Sequence, residues 1–218
     1  MSTDQQTGHA TEAGAPFDGR AAIEALMVAP GPPALGSAYQ AMTEELRGFL
    51  DVLAGAAIDT EHAARLRAQL AQMTSRLRGL EVGEPQRLWG HWTDRPGRGQ
   101  ALIPSYDVPK GSLEASATVT FGRFHVGENM AVHGGAISML FDDLLGWLLA
   151  RSDLPPSRTA FLTTNFRAVT PVGVELTVHA RITHVEGRKR FLAAELRHGD
   201  TVCADAEGLW VELRPGQP

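Results

Sequence analysis

Apolar positions recur with three different spacings along this chain, and the changes of spacing divide it. Leu46, Phe49, Leu50 and Leu53 stand at i, i+3, i+4 and i+7, which predicts a helix over residues 37–53. Leu66, Leu70, Met73 and Leu77 form a second such face, after a candidate N-cap at Thr60 and between Glu61 and Glu81. The two helices are expected to pair antiparallel or to cover another part of the molecule. Gly83-Glu84-Pro85 closes this region, and residues 94–99 form a turn cluster rich in Pro and Gly. The spacing then becomes two. Leu113, Ala115, Ala117, Val119 and Phe121 alternate with Glu114, Ser116, Thr118 and Thr120, the pattern of a half-buried strand. Val174, Leu176, Val178, Ala180 and Ile182 alternate in the same way. Residues 100–104 and 159–170 read as extended. Two more strands follow over residues 190–197 and 201–213, with turns at Glu186-Gly187 and His198-Gly199-Asp200.

Residues 134–150 follow neither pattern. Ala136, Ile137, Leu140, Phe141, Leu144, Leu145, Leu148 and Leu149 cover most of a helix circumference, so this helix is buried. The order is strand, long helix, then four strands joined by short turns that make the last strands antiparallel neighbours. An α+β architecture, with an antiparallel sheet wrapped around one central helix, buries both. The division expected is a disordered tail over residues 1–34, a helical extension over 35–84 and the sheet-and-helix domain over 85–214. The tail is rich in Gly, Ala, Thr and Pro and has little apolar surface to offset its ordering entropy.

Composition adds exclusions. Twenty Lys and Arg against 25 Asp and Glu give a formal charge of −5, which speaks against a nucleic-acid partner. One cysteine, Cys203, rules out an internal disulfide and suits a reducing compartment. Asp4, Glu12 and Asp18 interrupt an N-terminus that has no apolar signal core, and the central helix carries Asp142 and Asp143 and is too short to span a bilayer. A cytoplasmic protein without membrane association is expected. No phosphate-binding glycine loop, serine elbow or metal-ligand spacing occurs, so no metal and no cofactor are expected.

The candidate chemistry lies on the central helix. An ionised carboxylate in an apolar setting costs several kcal/mol unless it is paired or hydrogen-bonded. Asp142 and Asp143 point about 100° apart, so one can face solvent while the other needs a partner. His133-Gly134-Gly135 stands at the helix entrance, where unpaired N–H groups and the helix dipole favour a developing oxyanion, and glycines allow close approach. Arg188-Lys189-Arg190 is a basic cluster beside a turn, suited to a solvated hairpin edge or to the phosphates of an anionic cofactor.

The run from His133-Gly134-Gly135 to Asp142 resembles the H-G-G-x6-D signature of PaaI-like hotdog-fold acyl-CoA thioesterases. The likeness continues through Val119-Thr120-Phe121-Gly122, Thr159-Ala160-Phe161-Leu162, Phe166-Arg167 and Thr170-Pro171, over residues 85–213. It implies a hotdog fold and hydrolysis of an acyl-CoA thioester to acid and CoA. It implies Asp142 as general base or nucleophile, the Gly134 N–H as oxyanion donor, His133 as an orienting group and Thr159 as holder of the attacking water. Gly135, Asn129, Arg188 and Arg190 are the candidate substrate-binding residues. Members of that family often carry Asn six residues before the histidine; Gly127 stands there in this chain, with Asn129 nearby. The resemblance also implies a homodimer or homotetramer, with Asp142 and His133-Gly134 of two copies facing each other. Two other readings stand beside it. One is an acyl-CoA-binding hotdog protein without catalysis. The other is an enoyl-CoA hydratase that uses Glu128 and His133.

Overall fold

The computed structural model describes residues 30–83, 86–106 and 113–214. Most of the expected tail, residues 1–29, and part of the expected boundary at residues 84–85 lie outside the described residues. Five strands form one antiparallel sheet: β1 (Glu114–Thr120), β2 (Ser157–Phe166), β3 (Glu175–Glu186), β4 (Lys189–His198) and β5 (Thr201–Glu212). The order across the sheet is β1-β3-β4-β5-β2. Among the described residues, three α-helices accompany it: α1 (Pro33–Gly55), α2 (Thr60–Leu77) and α3 (Gly134–Arg151).

The sheet buries a face of small residues against a helix of large ones. Ala115, Ala117, Ala180, Ala194, Ala204 and Ala206 point inward, and Leu140, Phe141, Leu144, Leu145 and Leu148 of α3 are wholly buried among them. Short side chains on the sheet let the helix axis come close, and the large helix residues fill the remaining volume to interior density. This is the sheet around a central helix expected from the all-round apolar helix, and it agrees with the hotdog fold that the resemblance implies.

Strand β2 carries a bulge that matters for chemistry. Its register with β5 pairs Thr159 with Trp210, then skips Ala160, and continues with Phe161 opposite Leu209 and Leu162 opposite Gly208. Residues directly opposite in an antiparallel pair share a face. Leu162, Thr164 and Phe166 therefore face α3 together with Ala206 and Ala204, and the skipped residue brings Thr159 onto that same face beside Trp210. An unbroken period of two would put Thr159 outside. Gly208 makes room for the bulge: a Cβ there would lie 2.9 Å from the Phe161 carbonyl and 2.5 Å from the Trp210 ring.

The extension and the segment before β1 differ from their expected form in three respects. First, α2 is capped by Asp59 rather than Thr60; its carboxylate accepts the His62 N–H at 2.8 Å. Second, α1 buries Gly36, Thr43 and Arg47 against the domain, while the apolar face through Leu46, Phe49 and Leu53 stays half-buried or exposed. Gly36 is the contact point for Trp92, whose ring would lie 2.6 Å from any Cβ there. Third, residues 100–104 form no strand. Their carbonyls are claimed differently: the Arg47 guanidinium donates to the carbonyl oxygens of Gln100 and Ile103. Buried carbonyls need a donor, and a guanidinium that satisfies two of them takes the place of a neighbouring strand.

Candidate active site

Asp142 and Asp143 occupy the two environments that their angular separation implies. Asp143 turns inward, where it pairs with the Arg98 guanidinium and accepts a hydrogen bond from the Tyr106 hydroxyl. Burial pushes the Tyr106 hydroxyl well above the ordinary phenol range, so it stays protonated and remains a donor. Arg98 also lies with its guanidinium carbon 5.1 Å from the centroid of the Trp147 ring. Gly97 and Arg98 hold positive φ of 61° and 53°, so the turn before β1 is bent to deliver this one cation.

Asp142 faces outward and is exposed. Thr159 Oγ1 donates to its carboxylate at 3.0 Å, a contact that the bulge in β2 permits. The pair borders a cavity of about 790 Å³ lined also by Arg98, Trp147, Leu149, Leu154, Pro155 and Trp210. A smaller hollow of about 400 Å³ lies on the other side of Asp142, lined by Gln100, Leu102, Ile103, Met139 and Leu162. The arginine-held segment before β1 thus supplies walls on both sides of the carboxylate.

At the other end of α3, His133 is the N-cap, and its Nδ1 accepts the Gly135 N–H at 3.0 Å. Ala136 N–H and Ile137 N–H both reach the His133 carbonyl, at 2.9 and 3.3 Å. Among the described residues, the Gly134 N–H is left with no backbone acceptor, and the helix dipole adds positive potential there. With Nδ1 accepting, the neutral imidazole carries its proton on Nε2, which can donate outward. The Phe166 ring covers Gly134 so closely that a Cβ would lie 2.9 Å from it. Eight residues separate Gly134 from Asp142, about 12 Å along one helix. A reacting carbonyl cannot touch both in a single copy.

The remaining candidates fall elsewhere. Asn129 sits with Met130 at positive φ, 54° and 59°, on the exposed tip of a turn closed by the Ala131 N–H on the Glu128 carbonyl at 3.0 Å. Turn chemistry accounts for this asparagine, and no contact joins it to Asp142. Gly127 packs on the His133 backbone, its Cβ position 3.2 Å from the His133 Cα, so the asparagine common there in the family would need that backbone to move by a few tenths of an ångström. Arg188 spends its guanidinium on the Glu212 carbonyl at 3.1 and 2.9 Å. Arg190 is a correction to the sequence reading: it is 3% exposed and paired with the Glu212 carboxylate at 2.7 Å, a buried strut rather than a surface phosphate contact. Sequence reasoning missed Arg98, Tyr106 and Arg47. Arg98 lay in a segment read only as a turn cluster, and no spacing marked Tyr106 or Arg47. Among the described residues, no group of three or more His, Cys, Asp and Glu is placed to hold a metal, and no helix is long and apolar enough to cross a membrane.

The family model described as the thioesterase superfamily matches residues 129–205, which include the helix entrance, Asp142 and Thr159. A protein of Pseudomonas aeruginosa named as an esterase is 35% identical over 88 residues, 39% of this chain and 66% of that protein. An acyl-coenzyme A thioesterase of Bos taurus, THEM4, is 31% identical over 114 residues, 50% of this chain and 46% of that protein. The chain thus spans just under two thirds of the first relative and under half of the second. A crystal structure of a thioesterase superfamily protein superposes with a TM-score of 0.68 at 27% identity, covering 80% of this chain and 90% of that one. That coverage takes in part of the extension as well as the sheet.

Proposed function

We propose that the chain is a member of the thioesterase superfamily and hydrolyses an acyl-CoA thioester to a free acid and coenzyme A. The observation that carries this reading is the outward carboxylate of Asp142, hydrogen-bonded to Thr159 at the rim of a large, largely apolar cavity. The acyl group enters that cavity against Trp147, Leu154 and Trp210. Water held by Thr159 attacks the thioester carbonyl while Asp142 takes its proton, or Asp142 attacks first and water then cleaves the acyl-enzyme anhydride. In either course the hydroxyl ends on the acid and the proton on the departing sulfur.

The oxyanion that forms needs a donor that Asp142's own copy cannot offer at about 12 Å. The free Gly134 N–H of a second copy supplies it, with the His133 Nε2–H of that copy beside it. The site is accordingly shared within a homodimer, or within each dimer of a tetramer. Donors fixed at a helix terminus need no reorganisation as charge develops. The cytoplasm, where thiols stay reduced, suits the buried free thiol of Cys203.

The test is thiol release from short, long and aromatic acyl-CoAs by the wild type and by Asp142→Asn. Hydrolysis of one class that falls at least about 100-fold in the variant, with acyl-CoA affinity little changed, is expected. Binding without hydrolysis in the wild type, or equal rates in both, would refute the reading.

A further inference from the structure

Trp210 stands on β5 directly opposite Thr159, on the face of the sheet that α3 covers. Its side chain is 1% exposed, yet it lines the cavity beside Asp142. Among the described residues, its indole N–H meets no hydrogen-bond acceptor. A buried indole N–H ordinarily finds one, and leaving it without costs stability.

Gly146 of α3 locates this donor. A Cβ on Gly146 would meet Trp210 Nε1 at 4.0 Å, ordinary van der Waals contact, with no closer atom outside its chain neighbours and the helix backbone. Alanine therefore fits the space, and alanine is the better helix former. Packing does not call for glycine at this position. Gly146 also lines the cavity, and its missing side chain leaves the Trp210 N–H open to it.

Acceptors of the cavity wall are committed elsewhere. Asp142 receives the Thr159 hydroxyl, and Asp143 receives Arg98 and Tyr106. The hydroxyls of Ser152 and Ser157 turn to the Leu149 and Pro155 carbonyls. Because Asp143 already balances the Arg98 charge, an uncharged oxygen suits this end of the cavity better than an anion. Gly146 follows Asp142 by four residues, about 6 Å along the helix, a span that an extended chain covers in about five bonds. We propose that the Trp210 N–H is a specificity-determining donor for an acyl group carrying a neutral oxygen about five bonds from the thioester carbonyl carbon. This inference rests on the acyl-CoA reading and names the class of acyl group within it. A site built to hydrogen-bond such an oxygen rejects the analogue that lacks it.

The test compares 5-oxohexanoyl-CoA with 5-methylhexanoyl-CoA, near-isosteres in which a ketone oxygen replaces a methyl group. Both thiol release and equilibrium affinity are measured. The wild type should favour the ketone at least about tenfold in kcat/KM. In Trp210→Phe that ratio should fall to within about twofold of one. Gly146→Ala, which sets a methyl group against the N–H and leaves Trp210 in place, should also lower it, so the result does not hang on how phenylalanine packs. Equal hydrolysis of both compounds by the wild type, as when water serves the N–H, or a ratio unchanged in both variants, would overturn the proposal and leave hydrolysis standing. Absence of thiol release with a tenfold affinity difference that both variants lower would refute hydrolysis and uphold the donor. Absence of both release and affinity difference would refute the two together.

Discussion

Replacing Arg98 with Met should destabilise the fold by about 3–5 kcal/mol, the range for removing one partner of a buried ion pair. The side chains of Arg98 and Asp143 are 20% and 12% exposed, so solvent cannot take over the lost interaction. Asp143 would keep a single donor, the Tyr106 hydroxyl. The contact of the guanidinium with the Trp147 ring would also go, adding about 0.5–1 kcal/mol. Methionine keeps the stem and pays the same backbone strain at φ 53°, so the comparison isolates the charge. Replacing the whole cluster, with Arg98→Met, Asp143→Leu and Tyr106→Phe together, removes every uncompensated polar group. It should return to within about 1–2 kcal/mol of the wild type, because apolar packing of similar volume substitutes well for a buried pair. Urea unfolding followed by tryptophan fluorescence reads both, with the midpoint converted through a common slope. A cost below about 1 kcal/mol for the single variant, or an equal cost for the single and triple variants, would refute the assignment of this cluster as the anchor of the segment before β1.

Thr159→Val removes a hydrogen bond to a carboxylate and should lower the rate of thioester cleavage by about 10–100-fold, read by single-turnover hydrolysis. Deleting Ala160 should remove the bulge yet leave Thr159 on the inner face opposite Trp210, because alternation from Leu162 through Phe161 then reaches it, and should cost less activity than Thr159→Val, with the sheet retained by circular dichroism. Burial lowers the pKa of His125 below its ordinary value of 6.5. The unfolded chain therefore binds the extra proton first, and stability should fall as pH drops below about 6.5. His125→Gln should flatten that slope in denaturant titrations between neutral and mildly acidic pH.

Much of the domain was legible because its apolar spacing has only one way to be buried. The all-round apolar face of α3 and the alternation in β1 and β3 each point to a sheet around a helix, and the structure has that form. The Asp142–Thr159 contact was legible only by resemblance, since the geometry that makes it depends on a skipped residue, Ala160, that no periodicity marks. Arg98 and Arg47 escaped notice for a related reason. A buried arginine is chosen by the carbonyls and carboxylate it meets, which come from distant segments: Gln100 and Ile103 for Arg47, Asp143 for Arg98. Arg190 shows the converse, a basic cluster that looks solvated until its partner Glu212 is placed on the neighbouring strand. The outward apolar face of α1 followed the expected spacing but not the expected direction, because Gly36 and Arg47 fit Trp92 and the segment before β1 better than any apolar stripe does.

The central claim is that one hydrolytic site takes Asp142 from one copy and the Gly134 N–H from another. Two inactive variants test it directly: Asp142→Asn, which lacks the base or nucleophile, and Gly134→Pro, which lacks the N–H. Carrying different affinity tags and co-expressed, they can be purified as a mixed dimer. That dimer holds one site with both groups intact and one site with neither. The account predicts about half the wild-type rate of thiol release per dimer, since one of two equivalent sites is restored. A mixed dimer as inactive as its two parents would contradict it.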